Sequence, residues 1–206
     1  MSITNTIQDL PQSPRAVATR PSREEAEAAV RTLLSWAGED PQREGLRHPP
    51  SRVVEAYEEF FSGYKTDPQS WLASTDEDMS GGYDDIILLK GVRVQSFCEH
   101  HMTPFEGTAN LAYLPDIMVV GLSRLARVVD TCARRLQTQE SLTEQIIQTL
   151  EAGLSPRGSA IVVQAEHQCM SFRGIRQTGI KTVTSKYCGA FKTDQSLRQR
   201  FEELSR

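Results

Sequence analysis

The sequence predicts an α+β protein on three observations. Helical periodicity fills the first part of the patterned chain, period-two alternation then replaces it, and the strand-like segments come as two pairs flanking a pair of helices. Grouped helices and adjacent strands indicate an antiparallel sheet rather than a doubly wound parallel one. Composition agrees: 38% hydrophobic and 24% charged residues with only 4 Cys exclude collagen, a disulfide scaffold and wholesale disorder.

Residues 1–22 are rich in Ser, Thr and Gln, carry Pro11, Pro14 and Pro21, and offer little to bury, so they read as a disordered tail. They hold no apolar signal core, and no stretch elsewhere approaches the roughly 18 apolar residues of a membrane span. The expectation is a cytoplasmic protein with no membrane partner. Ser22 and Glu25 form a capping-box spacing ahead of Ala26, Ala29, Val30, Leu33, Leu34 and Ala37, one face of a first helix. Pro49 and Pro50 open a second, with Val53, Val54, Tyr57, Phe60 and Phe61 along it and Gly63 at its end. A polar loop reaches about Tyr83. The expected division is a tail over 1–22, a helical region over 23–83 and the main domain over 84–206.

Within that domain, Ile86 to Leu89, Val92 with Val94, and Phe105 to Tyr113 alternate as adjacent strands interrupted by a turn at Cys98 to Pro104. Leu122, Leu125, Val129, Cys132 and Leu136 mark one helix. Leu142, Ile146 and Leu150 mark the next, which Gly153 and Pro156 stop. Ala160 to Cys169 and Thr182 to Phe191 read as two more strands, and a short polar helix from about Gln195 closes the chain.

The charge balance, 23 Lys+Arg against 27 Asp+Glu, gives a net −4 and no cationic field to hold nucleic acid or an anionic membrane. An anionic ligand needs a local basic pocket. In a reducing compartment the four cysteines, Cys98, Cys132, Cys169 and Cys188, are packing residues, metal ligands or catalysts rather than staples.

The densest chemical signal is Cys98-Glu99-His100-His101, at a turn where Cys98 and His101 can point to one side. Thiolate and imidazole are the donors zinc prefers. On a strand, His167 and Cys169 share a face, so His167-Gln168-Cys169 supplies a second cluster. Three ligands, Cys98, His101 and Cys169, are what a catalytic zinc site has, with His100 and His167 left for proton transfer. His100 or His167 as a fourth ligand would instead close a structural site, and the two thiols alone could form a redox pair. Glu99 is either an outer carboxylate orienting an imidazole or a solvated turn residue. Ser123, Arg124 and Arg127 occupy the first turns of the helix opening at Gly121-Leu122, where free N–H groups favour an anion, and Arg173 follows Cys169 closely. The alternative for these arginines is a solvated helix face. Gln139-Glu140 can bind a donor-rich ring edge or simply begin a helix.

Together Cys98-Glu-His-His, Gly121-Leu-Ser-Arg-Leu-Ala-Arg, Gln137-Thr-Gln-Glu140, His167-Gln-Cys169, Arg173-Gly-Ile and Thr182-Val-Thr-Ser resemble the GTP cyclohydrolase I family over about Gln42 to Leu204. The resemblance implies the tunnelling fold, an antiparallel sheet with two helices and an N-terminal helical extension, assembled as a homodecamer with active sites between subunits. It implies zinc held by Cys98, His101 and Cys169, and hydrolysis of GTP to formate and 7,8-dihydroneopterin triphosphate for pterin and tetrahydrofolate synthesis. It further implies catalytic roles for His100, His167 and Ser123. Gln139 and Glu140 would hold the guanine edge, and Arg124, Arg127, Arg173 and Arg52 the triphosphate. Arg124 stands where the family usually has lysine, which keeps the charge but not the geometry.

Overall fold

The computed structural model describes residues 20–73 and 83–206, with backbone alone at Asp76, Glu77 and Met118. The tail expected over 1–22 lies outside the described residues as far as residue 19. Contacts divide the chain into two units, Met1–Glu58 and Glu59–Arg206.

In the first unit, helix α1 (Arg23–Trp36) begins with the capping box read from the sequence. Glu25 N–H donates to Ser22 Oγ at 3.1 Å, and Ser22 N–H donates to the Glu25 carboxylate at 2.8 Å. None of its residues is buried, and Leu33 and Trp36 remain 64% and 86% exposed. Helix α2 (Pro49–Phe60) opens on its proline pair, as prolines without an N–H to satisfy should. Arg23 links the two helices through Glu55 at 2.8 Å.

The second unit carries β1 (Asp76–Glu77), β2 (Ile87–Cys98), β3 (Pro104–Leu114), β4 (Met118–Val119), α3 (Leu122–Ala133), β5 (Leu136–Gln137) and α4 (Gln139–Leu154). It continues with β6 (Gly158–His167), α5 (Gln168–Ser171), β7 (Thr182–Gly189), α6 (Ala190–Thr193) and α7 (Gln195–Leu204). Five strands form one sheet in the order β5-β2-β3-β6-β7, antiparallel except for β5, which runs parallel to β2. β1 pairs separately with β4. The expected α+β class is what the chain adopts. Helices α3 and α4 cover one face, where Val94, Phe105, Leu111, Ile161 and Val163 meet Leu125, Val129, Leu142, Ile146 and Leu150 in the main core. On the other face Phe191 and Phe201 close a smaller cluster with Ile86, Ala112, Leu114 and Ala160.

The runs at Ile86–Leu89 and Val92–Val94 form the first strand of the expected pair, β2 beginning at Ile87, whose register shifts between Leu89 and Val92 around Gly91 at φ 73°. Three element boundaries differ from the pattern reading. Leu136 is not helical. Arg135 donates to the Gly63 carbonyl at 2.9 Å and to Gln145 Oε1 at 3.2 Å, drawing the chain out of α3, and Leu136 then pairs with Phe97. Gly153 lies inside α4 against Leu72, and the helix is ended by Ser155 in the left-handed region at φ 44°. Finally, β6 stops at His167, so Cys169 sits on the helical turn α5 instead of on a strand.

The β3–β6 ladder runs unbroken from Phe105↔His167 to Leu114↔Gly158. It does so because Gly107 has no side chain: a Cβ there would fall on the Gln164 carbonyl oxygen and within 2.7 Å of Ala165 Cα. Gly107→Ala should force the two strands apart beside the site, lowering unfolding stability by about 1–3 kcal/mol or more. Urea denaturation checks this, with an unchanged midpoint as the contrary result.

Candidate metal centre

The turn joining β2 to β3 is built by backbone hydrogen bonds before any side chain acts. Cys98 N–H donates to the Thr103 carbonyl at 2.9 Å, and the Cys98 carbonyl accepts from Met102 N–H at 2.8 Å and His101 N–H at 3.4 Å. Met102, at φ 53°, takes the left-handed conformation that reverses the chain. Glu99 N–H donates to the Gln137 carbonyl at 3.2 Å, so β5 braces the turn from outside. One side of this turn presents Cys98 and His101. The other half of the site arrives from β6: pairing sets His167 opposite Phe105, and the next residues coil into α5, which carries Cys169 toward Cys98.

The ligand atoms of Cys98, His101 and Cys169 all lie within 4.8 Å of one another, so the group can hold a metal ion. Cys98 is buried, Cys169 half-buried and His101 exposed, leaving an approach from solvent. The surroundings fit a cation. Burial, and then the Cys98 sulfur beside it, push the Cys169 thiol up from its ordinary value, and a cation between the two sulfurs would act against both causes. The buried Thr103 hydroxyl has no well-formed hydrogen bond but favours the Cys169 thiolate, the form a metal requires.

Three further groups surround the donors. His100 is largely exposed, with Nδ1 at 3.6 Å from Cys98 Sγ and Nε2 at 3.9 Å from Glu99. Arg173 Nη1 donates to His101 Nε2 at 2.8 Å, which brings the arginine to the centre. A guanidinium only donates, so that nitrogen presents a lone pair, and a metal and Arg173 cannot both use it. His167 stacks on Phe105 with ring centroids 4.5 Å apart and planes 11° apart, and its Nε2 lies 2.9 Å from Gln139 Oε1. Burial lowers its pKa, while the nearby Glu140 carboxylate acts in the opposite sense.

The expected basic and polar residues divide. Ser123, Arg124 and Arg127 do lie on the first turns of α3, whose N-cap Gly121 offers no capping side chain. Arg124 Nη1 is buried with no hydrogen-bond partner among the described residues, and Arg127 stacks over Trp71 at 4.6 Å. Among the described residues no hydrogen bond or ion pair joins these three to the donor group. Arg52 belongs to the other unit. The Gln139-Glu140 pair is split: Glu140 is exposed, whereas Gln139 is buried and its amide is spent on internal hydrogen bonds. Gln139 therefore does not present its amide to a ligand, contrary to the sequence expectation. Thr103 went unread because only the closure of the turn brings it to Cys169. Beside α5 lies an open depression of about 580 Å³ lined by Glu106, Glu166, Gln168, Ser171, Phe172, Thr178 and Lys181, whose acidic pair does not suit a polyanion.

Fold and site define an α+β protein whose two cysteines and one histidine form a group able to hold a metal ion, with a further histidine, His100, beside it. A family model described as GTP cyclohydrolase I matches residues 26–206. "GTP cyclohydrolase 1" of Maricaulis maris is 52% identical over 189 residues, covering 92% of each chain. That of Hyphomonas neptunium is 53% identical over 182 residues, covering 88% of each. A crystal structure of the archaeosine synthase QueF-Like in the apo form aligns with 51% of this chain and 94% of that one, at 18% identity and a TM-score of 0.41, too slight a likeness to argue from. The chain belongs to the GTP cyclohydrolase I family.

Titrating the metal-free protein with cobalt(II) should give one thiolate-to-metal absorption band saturating at one ion per chain. Cys98→Ser should weaken binding more than the roughly 10–100-fold typical of an outer-sphere change. Unchanged affinity would remove Cys98 from the ligand set.

Proposed function

We propose that this chain is a zinc-dependent GTP cyclohydrolase, converting GTP to 7,8-dihydroneopterin triphosphate and formate as the first step of pterin and tetrahydrofolate synthesis. The observation that carries the reading is the convergence of Cys98, His101 and Cys169 from two distant segments, in a chain of this family. Zinc is the ion two thiolates and an imidazole favour, and when bound it supplies Lewis acidity and a water of lowered pKa at its open position.

The protein's own groups then have distinct tasks. His167, whose pKa burial lowers, and His100, exposed beside Cys98, exchange protons with the purine as its five-membered ring opens and C8 departs as formate. Ser123 joins His100 at the ribose stage. Glu140 accepts the paired N–H groups of the guanine edge, its charge already facing His167. Arg173, Arg124 and Arg127 neutralise the triphosphate, and an Arg124 Nη1 buried without a hydrogen-bond partner among the described residues supports this, since a buried guanidinium nitrogen left unpaired is costly.

The absence of any described bond between α3's arginines and the donor group supports a site completed by a second copy. So do the open sheet edges: among the described residues β7 has no outer neighbour, and β2 is covered only at Phe97–Cys98. We assign the second unit to the tunnelling fold, the assembly to a homodecamer, and the protein to the cytoplasm. The 1–22 tail, 23–83 helical region and 84–206 catalytic domain remain the division we propose.

Incubation with GTP should release formate and the dihydropterin triphosphate in equal amounts, and chelation should stop both. Bound zinc without formate would sink the enzymatic reading. His100→Ala should keep the metal and lose about 10²–10⁴ in kcat, whereas Cys169→Ser should lose metal and product together. Native mass spectrometry should give a decamer of the 23.1 kDa chain, and an active monomer would contradict the shared site.

A further inference from the structure

We propose that Gln139 is a positioning residue whose amide oxygen holds His167 as its Nε2–H tautomer, so that proton exchange with the substrate runs through Nδ1. The inference rests on the proton-transfer role given to His167 above.

Gln139 is the first residue of α4 and only 1% exposed. Its amide nitrogen shares two hydrogens among the Val163 carbonyl, the Thr182 carbonyl and Thr184 Oγ1, each at 3.1 Å. Two of these acceptors are backbone carbonyls, which cannot donate, so the nitrogen must face β6 and β7 and the oxygen must face His167. The hydroxyls enforce the same direction. Thr143 donates its proton to the backbone carbonyl of Gln139 at 2.8 Å, so in its 2.6 Å contact with Thr184 it is the acceptor. Thr184 therefore spends its proton on Thr143 and keeps its oxygen for the Gln139 amide. The hydrogen bonds close a ring that runs one way only, and turning the amide over would set its oxygen against two carbonyl oxygens.

With the amide oriented, the imidazole has no choice. Oε1 only accepts, so His167 Nε2, at 2.9 Å, must carry a hydrogen. A neutral ring has one N–H, which leaves the lone pair on Nδ1. The stack on the fully buried Phe105 fixes the ring plane, and among the described residues Nδ1 makes no hydrogen bond. Nδ1 is thus the atom left to take and return a proton. The same accounting leaves the guanine edge to Glu140 alone.

The test is solid-state ¹⁵N NMR of histidine-labelled, metal-loaded enzyme at a pH where imidazole is neutral. Only four histidines contribute, and His167→Gln identifies the signal. The expected spectrum shows a protonated Nε2 and an unprotonated Nδ1 at His167. Gln139→Met, of similar length but without hydrogen-bonding groups, should lose that preference. It should also lower kcat about a hundredfold while KM for GTP and metal content stay within about twofold. A merely structural role would lower the melting temperature without moving the tautomer. Protonated Nδ1 in the wild type, or unchanged kcat in the folded Met variant, overturns the proposal, and if that variant does not fold the wild-type spectrum decides alone. Full activity in His167→Ala would instead overturn the proton-transfer reading on which the proposal stands.

Discussion

The meeting of Cys98, His101 and Cys169 depends on the antiparallel ladder between β3 and β6. Its last pair, Phe105↔His167, stacks the histidine on a buried ring and starts α5 one residue later, which is how Cys169 comes to face Cys98. A one-residue slip would send every side chain of β6 to the opposite face and separate the two halves of the donor group. Gly107 guards this register at the point of closest approach, where no side chain fits between β3 and Gln164.

The turn carrying Cys98 and His101 has its own brace. Gln137, buried in β5, donates through its side-chain nitrogen to the Cys132 carbonyl at 2.6 Å and to Ser96 Oγ at 3.1 Å, and accepts from Gln145 at 3.1 Å. Its carbonyl meanwhile holds Glu99. Buried polar groups of this kind cost about 1–3 kcal/mol each when left unpaired, so the end of α3, the start of α4 and the metal turn are held as a unit. Gln139 extends the same economy of amides to His167 from the neighbouring turn of chain.

What the sequence made legible was local. Cys98 and His101 could be read because three residues of a turn are enough to align them, and the Ser22 cap because it lies three residues from Glu25. Cys169 was identified through the wrong geometry: strand alternation placed it beside His167, but the chain had already turned helical. Gln139 could not be read as a positioning group, since its acceptors Val163, Thr182 and Thr184 lie far along the chain on two other strands. Leu136 fits the helical spacing of α3 perfectly well. It was lost to a pairing with Phe97 that no periodicity records. The separation of α3's arginines from the donor group is likewise a matter of tertiary placement, silent in their spacing.

Cys98 and Cys169 are remote in the chain, yet their sulfurs lie within 4.8 Å of each other in the fold. Bringing two such points together from an unfolded chain costs about 4 kcal/mol in loop-closure entropy. Here the hairpin and the β3–β6 ladder have already met that cost. Backbone pairing thus closes the loop between the two cysteines, the reverse of small domains in which a metal itself drives folding. The alignment of the donors is therefore a property of the sheet, held by its own ladder and core.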